Sequence, residues 1–273
     1  MTTAPITFIG GGNMARSLIA GLVRQGVAPG QIHVAEPVAA LREQLSAEFG
    51  VATYDDAADA AAQGTVWVLA VKPQVLREVC ATLAEPAARL QPLVVSIAAG
   101  ITSAQLARWL GGHGAVVRAM PNTPALLGAG VTGLFATDGV SEEQRALADT
   151  VLASAGRTVW IDDEARMDAV TAVSGSGPAY VFLLAEAMEA AGIAQGLAPE
   201  AARTLVVQTL LGASRMLDES GEAPAELRRR VTSPNGTTQA AIERFQGDGF
   251  EAMVGRAIDA ATERGKTLSA AND

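Results

Sequence analysis

The chain of 273 residues suffices for one large domain or two smaller ones, and its 49% hydrophobic but only 4% aromatic content calls for a core of small and aliphatic side chains carried mainly on helices. A net charge of −9, from 29 acidic against 20 basic residues, opposes non-specific contact with nucleic acid. A single cysteine, Cys80, excludes an intrachain disulfide and a cysteine-rich metal site, and two histidines, His33 and His113, are too few for a histidine zinc centre or a histidine-centred triad.

The opening MTTAPITFIGGG has no basic stretch before its apolar run, and no apolar run approaches the ~18 residues that span a bilayer. A cytoplasmic protein is expected. Up to residue 163, short β-branched runs alternate with amphipathic stretches, the pattern of a doubly wound, mostly parallel sheet covered by helices on both faces. The strand candidates are Ile6 to Ile9, Ile32 to Ala35, Val51 to Tyr54, Val66 to Val71, Leu93 to Ile97 and Ala115 to Ala119. Val131 to Phe135 and Thr158 to Ile161 could extend the sheet. After Asp162-Asp163-Glu164 the strand signal ends, so a Rossmann-type domain over 1–163 and an all-helical domain over 164–273 are expected.

Between the first strand and a helix containing Leu18, Ile19 and Leu22 stand Gly10, Gly12 and Ala15, the small residues needed where a backbone turns tightly against a pyrophosphate at a helix amino terminus. Glu36, at the end of the second strand, is placed to accept a hydrogen bond from an adenine-ribose 2′-hydroxyl, although it precedes Pro37 and could equally turn to solvent. Ala70-Val71-Lys72-Pro73 and Ala98-Ala99-Gly100 follow the fourth and fifth strands, where an open parallel sheet meets its ligand. Lys72 is one of two lysines in the chain, with Lys266.

Arg166 to Gly192 is apolar around most of its circumference and predicts a buried helix; Pro199 to about Leu217 shows more than one apolar stripe. A helical unit of about 110 residues cannot easily cover both, which predicts a second subunit over them. Arg228-Arg229-Arg230 reads as a solvated helix face. Two stretches break the helical pattern: Ser174-Gly175-Ser176-Gly177-Pro178-Ala179-Tyr180, and Val231-Thr232-Ser233-Pro234-Asn235-Gly236-Thr237-Thr238, rich in backbone donors and hydroxyls and suited to hold a carboxylate at the start of a helix near Thr238.

Those two stretches, in this order after Gly10-Gly11-Gly12-Asn13-Met14-Ala15, resemble the bacterial pyrroline-5-carboxylate reductases from about Ile6 to about Gly265. The resemblance implies NADPH- or NADH-dependent hydride transfer to the C=N bond of 1-pyrroline-5-carboxylate, giving L-proline, without a metal. It places Ile9, Gly10, Gly11, Gly12, Asn13, Met14, Ala15, Glu36, Ala70, Val71, Lys72, Pro73, Ala98, Ala99, Gly100 and Asn122 at the cofactor. Ser233, Gly236 and Thr237 would hold the substrate carboxylate, Thr238 would act catalytically at the ring nitrogen, and Glu164, Ser174 and Ser176 would lie close by. Homodimers through the helical domain, assembled into a ring such as a decamer, are also implied. Glu36 departs from the family, whose members often carry a small polar residue there and use a 2′-phosphorylated cofactor, so both coenzymes stay open. Asp55-Asp56-Ala57 departs too, where the family commonly has an asparagine. A β-hydroxyacid dehydrogenase would need a helical-domain lysine, for which only Lys266 is available; a non-catalytic NAD(P)-sensing subunit is the alternative of a different class.

Overall fold

A computed structural model describes residues 4–272. Eight strands form one sheet: β1 (Ile6–Ile9), β2 (Ile32–Ala35), β3 (Ala52–Tyr54), β4 (Val66–Leu69), β5 (Leu93–Ser96), β6 (Val116–Met120), β7 (Gly130–Ala136) and β8 (Gly156–Trp160). Their order is β3-β2-β1-β4-β5-β6-β7-β8. The first six run parallel, with Ile6 beside Ile32 on one side and Val66 on the other. β7 runs antiparallel to β6, because the turn of Thr123–Leu127 between them is too short for a parallel crossover. β8 returns parallel to β7.

The helices of this part are α1 (Asn13–Arg24), α2 (Ala39–Phe49), α3 (Ala57–Ala61), α4 (Pro73–Leu90), α5 (Ser103–Trp109) and α6 (Glu142–Leu152). Strand side chains alternate between the two faces. Phe8, Val34, Val68, Val95 and Val117 meet Leu18, Ile19 and Leu22 of α1, Leu45 of α2 and Val151 of α6. On the other face Ile9, Trp67, Leu69 and Val94 meet Leu76, Cys80 and Leu83 of α4 and Leu106 of α5. The buried Trp67 indole N–H donates to the carbonyls of Ala61 and Gly64, each at 3.0 Å, so the aromatic ring enters the core without an orphaned donor.

Several strand ends differ from the expected bounds. β4 stops at Leu69 rather than Val71: the Ala70 N–H donates to the Ile9 carbonyl at 2.8 Å, and Lys72-Pro73 already starts α4, with proline in the first turn where no N–H is needed. β5 stops at Ser96, and β6 runs on to Met120. The two runs after residue 130 do join the sheet, as β7 and β8.

The helix expected from Arg166 to Gly192 is three pieces. A 3₁₀ turn (Glu164–Arg166) leads into α7 (Met167–Val170), a π-helical turn (Thr171–Gly175) and α8 (Gly177–Ala194). Within the single chain α8 has no buried residue, and Phe182 and Leu183 are 67% and 66% exposed. α9 (Pro199–Glu219) buries only Ala202 and Val206. α10 (Pro224–Arg230), α11 (Thr237–Gly247) and α12 (Phe250–Ala271) complete the chain. Arg229 and Arg230 lie on the surface, paired with Glu226 and Glu222, which agrees with a solvated face.

Two compact units emerge. One runs through Ser176 and takes in the chain from Ala260 on; the other is Gly177–Asp259. These limits differ from a division at 163/164, where the strand signal ends, because Glu164 and Asp168 pair with Arg118 of β6 and the late turns of α12 pack beside Asp168.

Candidate active site

At the carboxyl end of β1 the backbone turns through Gly10, at φ +106°, a conformation that side chains other than hydrogen rarely adopt. A Cβ there would stand 2.9 Å from the carbonyl carbon and oxygen of Ala70, so the turn and the end of β4 touch backbone to backbone. Gly12 precedes α1, whose amino terminus carries no capping side chain and no acidic residue in its first turn. Its first N–H groups and the positive end of its dipole are therefore left to an external anion. Ala15 is fully buried and packs the helix onto the sheet, Met14 leans on the same core, and Asn13 opens the helix on the exposed side.

Glu36 closes one wall of the turn and does not point into solvent. It is 8% exposed, accepts the Gly11 N–H at 3.1 Å on one carboxylate oxygen and accepts the Val38 N–H at 3.0 Å on the other. Each oxygen keeps a lone pair for a further donor. The Gly11 N–H, expected at the cofactor, is thereby engaged with Glu36. Arg42, which the sequence reading did not single out, donates to the carbonyls of Glu36 and Pro37 at 2.8 and 2.9 Å and stiffens this corner.

A cleft of about 560 Å³ opens between these elements, lined by Ile9, Gly10, Gly11, Gly12, Glu36, Asp55, Ala70, Val71 and Lys72 among others. Its volume suits a small-molecule or cofactor site. Lys72 is exposed and precedes α4, with Pro73 as the first residue of that helix. Ala98, Ala99 and Gly100 follow β5 at the same end of the sheet, Ala98 buried and Ala99 exposed.

Asn122 follows β6, but its amide is engaged inside the chain: the oxygen accepts the Val131 N–H at 3.0 Å and the nitrogen donates to the Ser174 carbonyl at 3.1 Å. It thus ties the π-helical turn to the sheet. In that turn the Ser174 hydroxyl donates to the Val170 carbonyl at 2.8 Å and the Ser176 N–H to the Thr171 carbonyl at 2.8 Å, the five-residue step of a π turn. Glu164 is likewise occupied. Its carboxylate accepts the Ser103 N–H at 2.7 Å, takes the Ser103 hydroxyl, and meets Arg118 at 3.3 Å. Arg118 is 4% exposed and reaches Asp168 at 3.4 Å as well. A charged residue in the apolar run Val116-Val117-Arg118-Ala119-Met120 was the available sequence signal for this cluster; its acidic partners lie dozens of residues away.

In the second unit, Asn235 adopts a left-handed conformation at φ 60°, its N–H donates to Gln239 Oε1 at 2.7 Å, and the Gly236 N–H donates back to the Ser233 carbonyl at 3.0 Å. The tight turn delivers Thr237 and Thr238 as the first two residues of α11, and Gly236 provides no side-chain cap. Ser233, Thr237 and Thr238 are all exposed, so hydroxyls and open N–H groups share one helix start.

Among the described residues, the titratable groups elsewhere offer no competing centre. Burial pushes the Cys80 thiol up to about 12 and lowers His33 from its ordinary value. His113 is buried with its Nε2 2.7 Å from the Pro92 carbonyl. No group of three or more metal-ligating side chains stands together among the described residues. Lys266 is exposed, hydrogen-bonded to Glu263 at 2.6 Å and held above its usual range by that contact, so it stays a cation rather than a base.

A glycine turn at a helix amino terminus, on a parallel sheet followed by helices, defines the class: an oxidoreductase fold with a nicotinamide dinucleotide crevice. Residues 5–100 match the family described as NADP oxidoreductase, coenzyme F420-dependent, and residues 164–268 match pyrroline-5-carboxylate reductase dimerisation. The chain is 53% identical to pyrroline-5-carboxylate reductase of Pseudomonas aeruginosa, over 98% of both chains. The structure superposes on a pyrroline-5-carboxylate reductase from Coxiella burnetii with TM-score 0.95 and 40% identity, covering 98% of this chain and 99% of the other. It also matches the Plasmodium falciparum pyrroline carboxylate reductase solved with NADP bound, at TM-score 0.85 and 27% identity over 98% and 99% of the two chains. The chain belongs to the pyrroline-5-carboxylate reductase family.

Proposed function

We propose that the protein reduces 1-pyrroline-5-carboxylate to L-proline at the expense of a reduced nicotinamide dinucleotide. The observation that carries the reading is the start of α11, where exposed Ser233, Thr237 and Thr238 surround an uncapped helix terminus, the surface a small carboxylate requires. Ser233, Gly236 and Thr237 hold that carboxylate, and the Thr238 hydroxyl hydrogen-bonds the ring nitrogen and favours its protonation, which makes the C=N carbon electrophilic. The rest is positioning and preorganised charge. Glu164 and Asn122, both engaged within the chain, act by holding neighbouring loops rather than by touching a ligand.

The glycine turn fits a dinucleotide: Gly10 lets the turn lie against the Ala70 backbone, and the position a Cβ on Gly12 would take is open, so a pyrophosphate can approach the backbone there. Gly12, Asn13 and Met14 present their N–H groups to the phosphates, Ile9, Gly10, Ala15, Ala70, Val71 and Pro73 shape the crevice, and Lys72 stands at its rim. When bound, the reduced nicotinamide supplies the hydride. Glu36, fixed against the turn, accepts the ribose 2′-hydroxyl of NADH and repels the 2′-phosphate of NADPH, so NADH is the preferred coenzyme.

Residues 164–273 act as the dimerisation and substrate-binding domain beside a nucleotide domain over 1–163. The uncovered face of α8 and α9 packs against a second copy of the chain, and dimers can build a larger ring. The single cysteine suits a reducing cytoplasm.

Thr238→Ala tests the assignment. Turnover is expected to fall by about 10²-fold, the usual size of a lost proton-positioning group, with NADH affinity unchanged and partial recovery in Thr238→Ser. Full turnover in the alanine variant removes Thr238 from the mechanism.

A further inference from the structure

We propose that residues Gly265 to Asn272, the last turns of α12 and the residue after it, are a positioning element of the nucleotide site that holds the Ala98–Gly100 turn in place. The inference rests on the dinucleotide reading above. In a sheet of this strand order the two halves of a dinucleotide lie over the carboxyl ends on either side of β1, so the turn after β5 belongs to the half opposite Glu36.

Two contacts join the tail to that turn, and a third joins it to α5, which follows the turn. The Asn272 side-chain amide donates to the Gly100 carbonyl at 3.1 Å and anchors itself on the Leu268 carbonyl at 2.8 Å. Gly100 stands at φ +71°, and a Cβ there would lie 3.3 Å from Leu268 Cβ, so helix and turn are packed closely. Gln105 is 2% exposed; its amide nitrogen donates to the Ser269 carbonyl at 2.9 Å while its oxygen accepts the Thr102 N–H at 2.8 Å in the capping box of α5. A buried side chain with both ends committed fixes the distance between the two segments. From the other side, Glu164 grips Ser103. The turn is therefore clamped, with its only exposed member, Ala99, facing outward.

No residue of the tail lines the cleft, which makes it a positioning element and not a catalytic one.

The test compares NADH with ADP-ribose, which carries the adenosine and pyrophosphate but no nicotinamide. Asn272→Asp replaces the donor to Gly100 by an acceptor, and a chain ended after Thr267 removes the clamp. Both are measured by calorimetric Kd for the two ligands and by steady-state kinetics. The expected result is that the affinity advantage of NADH over ADP-ribose shrinks about tenfold, with KM for NADH raised and ADP-ribose affinity within twofold of the parent. Unchanged NADH affinity in both variants overturns the proposal. So does a parallel loss of both ligands in Asn272→Asp, which marks a merely structural role. A parent protein that binds neither ligand defeats the dinucleotide reading itself, and does so before any substitution is made.

Discussion

A carboxylate that accepts two backbone N–H groups is held in one orientation, and at Glu36 that orientation is the wall of the glycine turn. A bound 2′-phosphate would meet this negative charge, and each 1.4 kcal/mol of such repulsion is about tenfold in relative affinity. Glu36→Ser is expected to raise the ratio of kcat/KM for NADPH over NADH at least about tenfold, measured as initial rates with both coenzymes. An unchanged ratio shows that Glu36 does not read the ribose. The identity of this residue and its place at a strand end were legible in the sequence, as was Gly10. Its direction was not, because Pro37 allowed two courses and only the Gly11 and Val38 N–H groups decide between them. Asn122 and Glu164 show the same limit more sharply. Their residue types suit ligand contact, yet partners 52 and 61 residues away in sequence engage them.

Among the elements, strands were legible because a parallel strand buried on both faces reads as a continuous apolar run, and all eight candidates form strands. Their ends were less so, since Ala70 and Val71 continue the apolar pattern while the backbone leaves the sheet. The π-helical turn could not be read from periodicity; glycines and a proline mark a break, but not that the helix widens by one residue and hands its Ser174 carbonyl to Asn122. α8 is apolar all round, as its sequence indicates, and its own chain buries none of it. A helix with Val181, Phe182, Leu183 and Leu184 exposed presents the kind of surface that soluble proteins cover by association. Phe182→Glu would put a charge on that face. It is expected to leave the fold intact and convert dimers to monomers in light scattering; an unchanged mass places the contact elsewhere.

At the scale of the whole molecule, the chain combines a crevice-bearing sheet with a helical unit whose open helix start carries the hydroxyls. The alternation of strands and helices followed by helices alone announced this plan. The compact units were not announced, because α12 sends its final turns to the sheet-bearing unit and that return depends on Asn272 and Ser269, which no sequence pattern distinguishes from surface polar residues, and on Gln105, whose spacing from Thr102 marks only a helix start. The reduction of a cyclic imine by this protein is measured by following NADH at 340 nm with and without 1-pyrroline-5-carboxylate, and assaying the product for proline. Oxidation is expected to depend on the imine, to yield one proline per NADH and to run faster than with NADPH. Tight NADH binding with no imine-dependent oxidation would contradict the proposed reaction.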